Sequence, residues 1–105
     1  MEQRDREIAR ELKDRLAEIV PLVDFRVFGS RARGDRDEYS DLDVFIEVES
    51  LDRNLEDKIH QAVWEVGFAH SVYISPLIFT RYELENTPLR SSPIVKNISE
   101  EGVKV

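Results

Sequence analysis

The spacing of apolar side chains divides the first part of the chain into a helix and a strand. Between residues 4 and 20, apolar positions recur every three or four residues among charged ones, which predicts an amphipathic helix that Pro21 ends. The stretch VDFRVFGS, residues 23–30, alternates apolar and polar side chains instead. It therefore predicts a short strand that ends at Gly29.

The stretch SDLDVFIEVE, residues 40–49, is the clearest strand pattern in the chain. Successive side chains on a strand point to opposite faces, so the apolar residues share one face and the other face carries Asp41, Asp43, Phe45 and Glu47. The two aspartates therefore point the same way. Residues 30–38 carry no apolar side chain larger than alanine, which predicts an exposed loop that can begin with one helical turn.

The second half of the chain predicts a longer helix and a third strand. Apolar residues from Leu55 to Val66 recur at helical spacing, with Asp52 as the expected cap and Gly67 as the expected end. The apolar stretch SVYISPLIF, residues 71–79, then predicts a strand. Pro76 inside it lacks a backbone donor, which favours an edge strand or a bulge at that position rather than a regular central strand.

Two further helix signals follow this strand. Thr80 and Glu83 have the spacing of a capping box, and Ser92-Pro93 is a typical start for a last helix that runs to Gly102. The element order predicts an α/β or α+β layer of helices packed on a small sheet. We expect one domain over residues 1–105, with its core in 22–80 and a C-terminal helical tail in 81–105.

Composition narrows the classes of function. The 105 residues carry a formal net charge of −7, which argues against non-specific binding to duplex DNA. There is no cysteine, so disulfides and zinc-thiolate sites are excluded and a reducing compartment is favoured. The densely charged N-terminal segment is neither a signal peptide nor a membrane span, and we expect a cytoplasmic protein. Four arginines crowd residues 26–36, where they could attract a small polyphosphate.

The stretch VFGSRARGDRDEYSDLDVFIE, residues 27–47, combines two kinds of candidate ligand. Two carboxylates at positions i and i+2 of a strand, Asp41 and Asp43, lie close enough to share a hard cation such as Mg²⁺. A Gly-Ser turn, Gly29-Ser30, offers backbone N–H groups and a hydroxyl for phosphate oxygens. Each signal alone is more often structural than functional, and only their combination favours a nucleotide site.

This combination resembles the signature of the DNA polymerase beta-like nucleotidyltransferase superfamily: Gly29-Ser30, ten residues, then Asp41-Leu42-Asp43. GSRARG and SDLD are more closely similar to the minimal nucleotidyltransferases. The resemblance implies a nucleotidyltransferase fold with a small mixed sheet and flanking helices. It also implies Mg²⁺ on Asp41 and Asp43, phosphates on Gly29, Ser30 and Arg33, and transfer of NMP, as AMP from ATP, to a hydroxyl. Many relatives resemble antitoxins that are paired with a helical HEPN-type toxin, which some of them adenylylate.

The third carboxylate of the superfamily is missing at its expected place. The family pattern aligns with Val72-Tyr73-Ile74, so Tyr73 stands where that acid is expected, and no acid occurs between Glu65 and Glu83. Glu47 is about 13 Å along the strand from Asp43, too far to replace it, and is expected to be solvated. A second hypothesis is therefore a binding module that neutralises a partner toxin without catalysis. A third is a subunit that supplies a nucleotide site to a separate substrate-binding chain.

The remaining candidate residues have structural interpretations beside the functional ones. Arg31 is weighed evenly between phosphate contact and solvent exposure, and Gly34 is expected to serve the turn. Trp64 is expected in the core or in an interface, since it adjoins the apolar face of its helix. His60 and His70 lack metal-ligand spacing. Tyr39 could stack on a base or cover the loop. A domain this small makes a partner or homo-oligomer plausible.

Overall fold

The computed structural model describes residues 1–35 and 39–105. Arg36, one of the four clustered arginines, and the end of the predicted loop at 37–38 lie outside the described residues. In chain order the elements are α1 (Gln3–Ile19), β1 (Leu22–Phe28), α2 (Gly29–Arg33), β2 (Leu42–Val48), α3 (Arg53–Ala69), β3 (Ile74–Thr80), α4 (Arg81–Asn86), a 3-10 helix (Pro88–Ser91), α5 (Pro93–Glu101) and β4 (Val103–Lys104).

The four strands form one mixed sheet in the order β3-β2-β1-β4. Strand β1 pairs antiparallel with both β2 and β4, whereas β2 and β3 run parallel. The parallel pair follows from the connection through α3, since parallel neighbours need a long crossover. The predicted mixed sheet with flanking helices is confirmed. Strand β3 lies at an edge, as Pro76 predicted.

Helices α1 and α3 cover one face of the sheet. The apolar side of β2 meets both helices in the main core, and its alternate residues are fully buried, as the period of two predicted. The buried side chains of this cluster that come from the two helices are Ile8, Ala9, Leu12, Leu16, Ile59, Ala62, Val63 and Val66. Because this core includes all of one face of β2, it fixes the opposite face as the one on which Asp43 lies.

A smaller cluster covers the opposite face of the sheet. Phe45 and Phe79 meet there at 5.9 Å between ring centroids, and Ile98 of α5 completes the cluster. Strand β4 follows α5 and pairs with β1 through Arg26 and Val27. We expected the tail 81–105 to be helical throughout. It also contains the two-residue strand β4, which extends the sheet. Its helices cover the far part of the face that carries Asp43.

Most of the predicted helix ends are correct. The Asp52 side chain accepts the N–H of Leu55 at 2.7 Å, and Thr80 and Glu83 form the predicted capping box. Gly67, however, does not end α3, which continues to Ala69. A Cβ on Gly67 would lie 2.7 Å from the carbonyl oxygen of Val72. This glycine therefore allows the segment before β3 to pack against the helix, rather than ending it.

Trp64 lies on the outer surface of α3. Its residue is 62% exposed, and its ring stacks on Phe68 with 5.1 Å between centroids. The expectation of core packing was wrong because α3 turns its neighbours Val63 and Val66 inward instead. An interface role for Trp64 stays a prediction. Among the described residues, no helix has the length and apolar character needed to cross a bilayer.

Candidate active site

The first half of the site is the turn from β1 into α2. Gly29 has φ +77°, a conformation that side-chain-bearing residues rarely adopt. A Cβ on Gly29 would also collide with the carboxylate oxygen Oδ2 of Asp43. The position therefore requires glycine for two reasons, and the turn lies directly against the carboxylate of the neighbouring strand.

The short helix α2 is closed by a second glycine. The Ser30 carbonyl accepts the N–H groups of Gly34 at 3.0 Å and Asp35 at 3.2 Å. Gly34 has φ +82°, the left-handed conformation of a helix C-cap. A Cβ there would meet nothing within 4 Å. Gly34 thus serves the turn, as expected, while Gly29 serves both the turn and the approach to Asp43.

The second half of the site is the start of β2. Asp41 is exposed immediately before the strand, and Asp43 is half-buried between Phe28 of β1 and Ser75 of β3. Burial raises the pKa of Asp43, and the negative charge of Asp41 raises it further. The Asp41 carboxylate is therefore close enough to disfavour the charged form of Asp43.

Arg33 brings positive charge to this pair from the end of α2. Its side chain is 52% exposed and forms an ion pair with Asp35 at 3.2 Å. The Arg33 guanidinium also lowers the pKa of Asp43, although burial and Asp41 act more strongly in the other direction. Arg33 is therefore close enough to influence Asp43 and exposed enough to meet a ligand.

The residues present fit a hard divalent cation bound together with phosphate. Within residues 1–35 and 39–105, no group of three or more His, Asp or Glu side chains could hold a metal ion by itself. Asp41 and Asp43 supply oxygen donors of the kind that Mg²⁺ prefers, and Mg²⁺ commonly takes one or two carboxylates plus substrate phosphates and water. A cation there would also offset the burial and the neighbouring Asp41 charge that together raise the pKa of Asp43.

Arg31 lies in the same helix as Arg33 but faces inward. The residue is 3% exposed, so the expectation of an exposed loop was wrong at this position. Its Nη1 donates to Oδ1 of Asp5, and its Nε donates to the carbonyl of Ser40, each at 2.7 Å. The buried partner Asp5 belongs to α1, 26 residues away in the chain, and no local sequence pattern predicts this pairing. Sequence reasoning therefore missed this role.

The neighbour of the acidic pair on β3 is a hydroxyl residue. The register pairs Asp43 with Ser75, so their side chains lie side by side on one face. Tyr73 precedes β3; its carbonyl accepts the N–H of Leu42 at 2.9 Å, and the residue is 73% exposed. The assignment of Tyr73 to the position of the third acid stays a prediction. Only the parallel register could have identified Ser75.

Glu47 lies on the same face of β2 but outside the site. It pairs with Asp24 of β1 and is only half-exposed, rather than solvated as we expected. Burial raises its pKa, followed by the charge of Asp24, while Arg81 opposes the shift. The site residues therefore gather at one end of β2 and leave Glu47 at the other.

The other candidates lie apart from this centre. His60 is exposed on α3 near Glu56, and His70 lies 3.2 Å from a carboxylate oxygen of Glu11. Both are surface residues, consistent with their structural interpretation. Tyr39 is 85% exposed, and its two possible roles stay open as predictions.

A glycine turn thus lies against the Asp43 carboxylate at one end of a mixed sheet, with Asp41 nearby in the chain. Residues 9–105 of the chain match the nucleotidyltransferase domain family. A protein of Methanocaldococcus jannaschii with the name "Putative protein adenylyltransferase" is 35% identical over 77 residues, which are 72% of this chain and 72% of that protein. The chain belongs to the nucleotidyltransferase-domain family, and the resemblance seen in residues 27–47 is confirmed.

Proposed function

We propose that this nucleotidyltransferase transfers AMP from ATP, in a Mg²⁺-dependent reaction, to a hydroxyl group on a partner protein. The observation that carries the proposal is the contact between Gly29 and the Asp43 carboxylate, which joins the two halves of the signature. Phosphate held at the turn would lie beside the carboxylates that hold the metal. Membership in the family supports nucleotidyl transfer in general.

Each residue has a distinct part in this proposal. Gly29 and Ser30 hold phosphate oxygens with backbone N–H groups and a hydroxyl, and Arg33 balances the phosphate charge from the exposed side of α2. Asp41 and Asp43 hold the cation. When bound, Mg²⁺ neutralises charge that develops on the phosphate oxygens. The acceptor hydroxyl oxygen forms a bond to the α-phosphorus and releases its proton to water, while the α–β phosphoanhydride bond breaks and pyrophosphate leaves.

The acceptor in this proposal is a protein. The relative from Methanocaldococcus jannaschii is named for adenylylation of protein, and a domain of 105 residues has little surface beyond its site with which to select an acceptor. We propose a helical HEPN-type toxin as the partner and an antitoxin role in the cytoplasm for this chain. The net charge of −7 fits a protein acceptor better than duplex DNA.

A binding titration tests the metal and nucleotide assignment. ATP with Mg²⁺ is titrated by calorimetry into the wild type, Asp43→Asn and Asp14→Asn. Asp14 is an exposed aspartate of α1, so its variant makes the same change in charge away from the site. We expect Asp43→Asn to lose at least about tenfold in affinity, which is about 1.4 kcal/mol, while Asp14→Asn matches the wild type. Equal affinities for all three proteins would remove Asp43 from the metal site.

A second candidate function is a nucleotide-binding antitoxin with weak or no catalysis. It is favoured by the absence of any acid between Glu65 and Glu83, where the superfamily carries a carboxylate that can take the proton of the attacking hydroxyl. Incubation with labelled ATP and the product of the neighbouring gene separates the two functions. Label on the partner supports transfer, whereas a stable complex without label supports binding alone. Gain of transfer in Tyr73→Asp would support the proposed position of the third acid.

A further inference from the structure

The guanidinium group of Arg31 connects three separate segments of the fold. Its residue is 3% exposed and its partner Asp5, in the first turn of α1, is 0% exposed. Arg31 itself belongs to α2, the helix that follows the glycine turn. The third segment is the approach to β2, where the Ser40 carbonyl accepts from Nε of Arg31 at 2.7 Å. The group therefore joins α1 and the turn to the residue immediately before Asp41.

The planar shape of the guanidinium group fixes the direction of these contacts. One nitrogen donates to Asp5 and another to Ser40, both at 2.7 Å, and the two donors are part of one rigid fork. A hydrogen bond to the Ser40 carbonyl restrains the peptide unit that joins Ser40 to Asp41. Two residues later the Asp43 carboxylate lies against Gly29. Arg31 thus holds the start of β2 at a set distance from the turn.

We propose that Arg31, oriented by Asp5, is a positioning residue that places the Asp41–Asp43 pair for Mg²⁺ and nucleotide. The proposal rests on the proposed nucleotidyl transfer for its effect on binding, but not for the anchoring itself. Arg31 makes its contacts through the protein interior, whereas Arg33 faces solvent. In this proposal the two arginines of α2 have different roles: Arg31 positions the acidic pair, and Arg33 faces the ligand.

Energetics distinguish this role from general stabilisation. A buried ion pair contributes little net stability compared with apolar residues of similar volume, because removing the charges from water costs about as much as their attraction returns. If the pair served only stability, Leu in place of Asp5 and Met in place of Arg31 would preserve its whole contribution, the unfolding free energy. If the pair also holds the Ser40 carbonyl, the same replacements would keep the unfolding free energy but release that carbonyl, since neither side chain donates a hydrogen bond.

Hydrogen exchange tests the anchoring without any ligand. The Leu42 amide donates to the Tyr73 carbonyl at the start of β2, and the Ile46 amide lies in the middle of the same buried strand. Lysine keeps the charge of Arg31 but loses the fork. In Arg31→Lys and in Asp5→Asn, we expect protection of the Leu42 amide to fall at least about tenfold while that of Ile46 is retained, since local opening exposes only the loosened segment.

The control and the double variant complete the experiment. Arg15→Lys makes the same substitution in an exposed pair with Glu65 and is expected to leave both amides unchanged. Asp5→Leu combined with Arg31→Met is expected to retain the unfolding free energy in urea but not the Leu42 protection. Affinity for Mg²⁺ with ATP should fall at least about tenfold in Arg31→Lys and in the double variant.

Each other outcome has a definite meaning. Unchanged protection of the Leu42 amide in Arg31→Lys would overturn the anchoring role. An equal loss of protection at Leu42 and Ile46 would also overturn it, because such a loss indicates global destabilisation. Loss at Leu42 with full nucleotide affinity would overturn the positioning role. If the wild type binds no Mg²⁺ with ATP, the proposed function fails, while the exchange data still decide whether Arg31 anchors the strand.

Discussion

The two ends of strand β2 place similar carboxylates in different surroundings. Asp43 and Glu47 lie on one face of the strand, and burial and a neighbouring acid raise the pKa of both. At the Glu47 end, side chains pair with one another: Arg26 donates to Asp24 at 2.9 Å, and Arg81 pairs with Glu49 at 2.8 Å. At the Asp43 end, a glycine turn lies against the carboxylate instead.

This difference teaches that a raised pKa by itself does not identify a site. Burial and a neighbouring acid raise the pKa of both carboxylates, but of the two only Asp43 lies against a glycine turn, the backbone to which we assign phosphate in the proposed function. Functional sites often carry perturbed groups, and so do structural networks of charges. The geometry of the glycine turn therefore separates the two ends, and the following predictions test that separation.

The largest effect is expected for Gly29→Ala. A methyl group there would meet the Asp43 carboxylate, and alanine is strained at the φ of +77° that Gly29 adopts. We therefore expect a loss of about 2 to 3 kcal/mol in unfolding free energy and a loss of detectable Mg²⁺–ATP binding. Urea unfolding and calorimetry measure the two quantities. Gly34→Ala is the control, because it also has positive φ but open space. It should cost roughly 1 to 2 kcal/mol and keep its binding. Equal loss of binding in both would contradict the special position of Gly29.

A smaller effect distinguishes the two carboxylates directly. A ligand that binds only the folded state stabilises it by about 2.7 kcal/mol at one hundred times its dissociation constant. We expect Mg²⁺ with ATP to raise the melting temperature of the wild type and of Glu47→Gln equally. The rise for Asp43→Asn should be about half as large or less, since a tenfold loss of affinity leaves about 1.4 kcal/mol of stabilisation. Differential scanning calorimetry with and without the ligand checks this. A lost response in Glu47→Gln would mean that the site extends along the whole strand.

The smallest effect is the pH dependence of Glu47. Because its pKa is raised on folding, the folded state holds the proton more tightly, and stability falls as pH rises from the ordinary pKa of Glu through the raised one. The loss of folding stability is complete at neutral pH, and it is absent at pH values below both the ordinary and the raised pKa. Glu47→Gln should therefore be more stable than the wild type at pH 7, by less than about 1 kcal/mol, and equal to it below about pH 4. Urea unfolding at both pH values measures the difference, and a gain that persists in acid would exclude this cause.

Local patterns predicted most of the elements correctly. The period of two in residues 40–49 identified β2 and its buried face, and Asp52 and Thr80 identified two helix starts. These features depend on residues within a few positions of one another. The signature residues Gly29 and Asp43 were also identified from the sequence, through its resemblance to a known superfamily signature, and their roles are proposals.

Features that depend on packing were not predicted. Gly67 was taken for a helix end, but α3 continues to Ala69, and the glycine instead allows the Val72 carbonyl to pack against the helix. Strand β4 has only two residues, too few for a periodic pattern. Arg31 was expected in an exposed loop because nothing near it in the chain shows that Asp5 would cover it. In each case the deciding contact comes from packing.

The sequence by itself determined that Asp43 lies on the face of β2 opposite its apolar side and that a Gly-Ser turn precedes it, because strand alternation and turn chemistry are local. Only the tertiary structure decided that Gly29 touches Asp43, that Ser75 lies beside it, and that Arg31 reaches Asp5 and Ser40. Those relations depend on strand register and helix docking, which the whole core sets together.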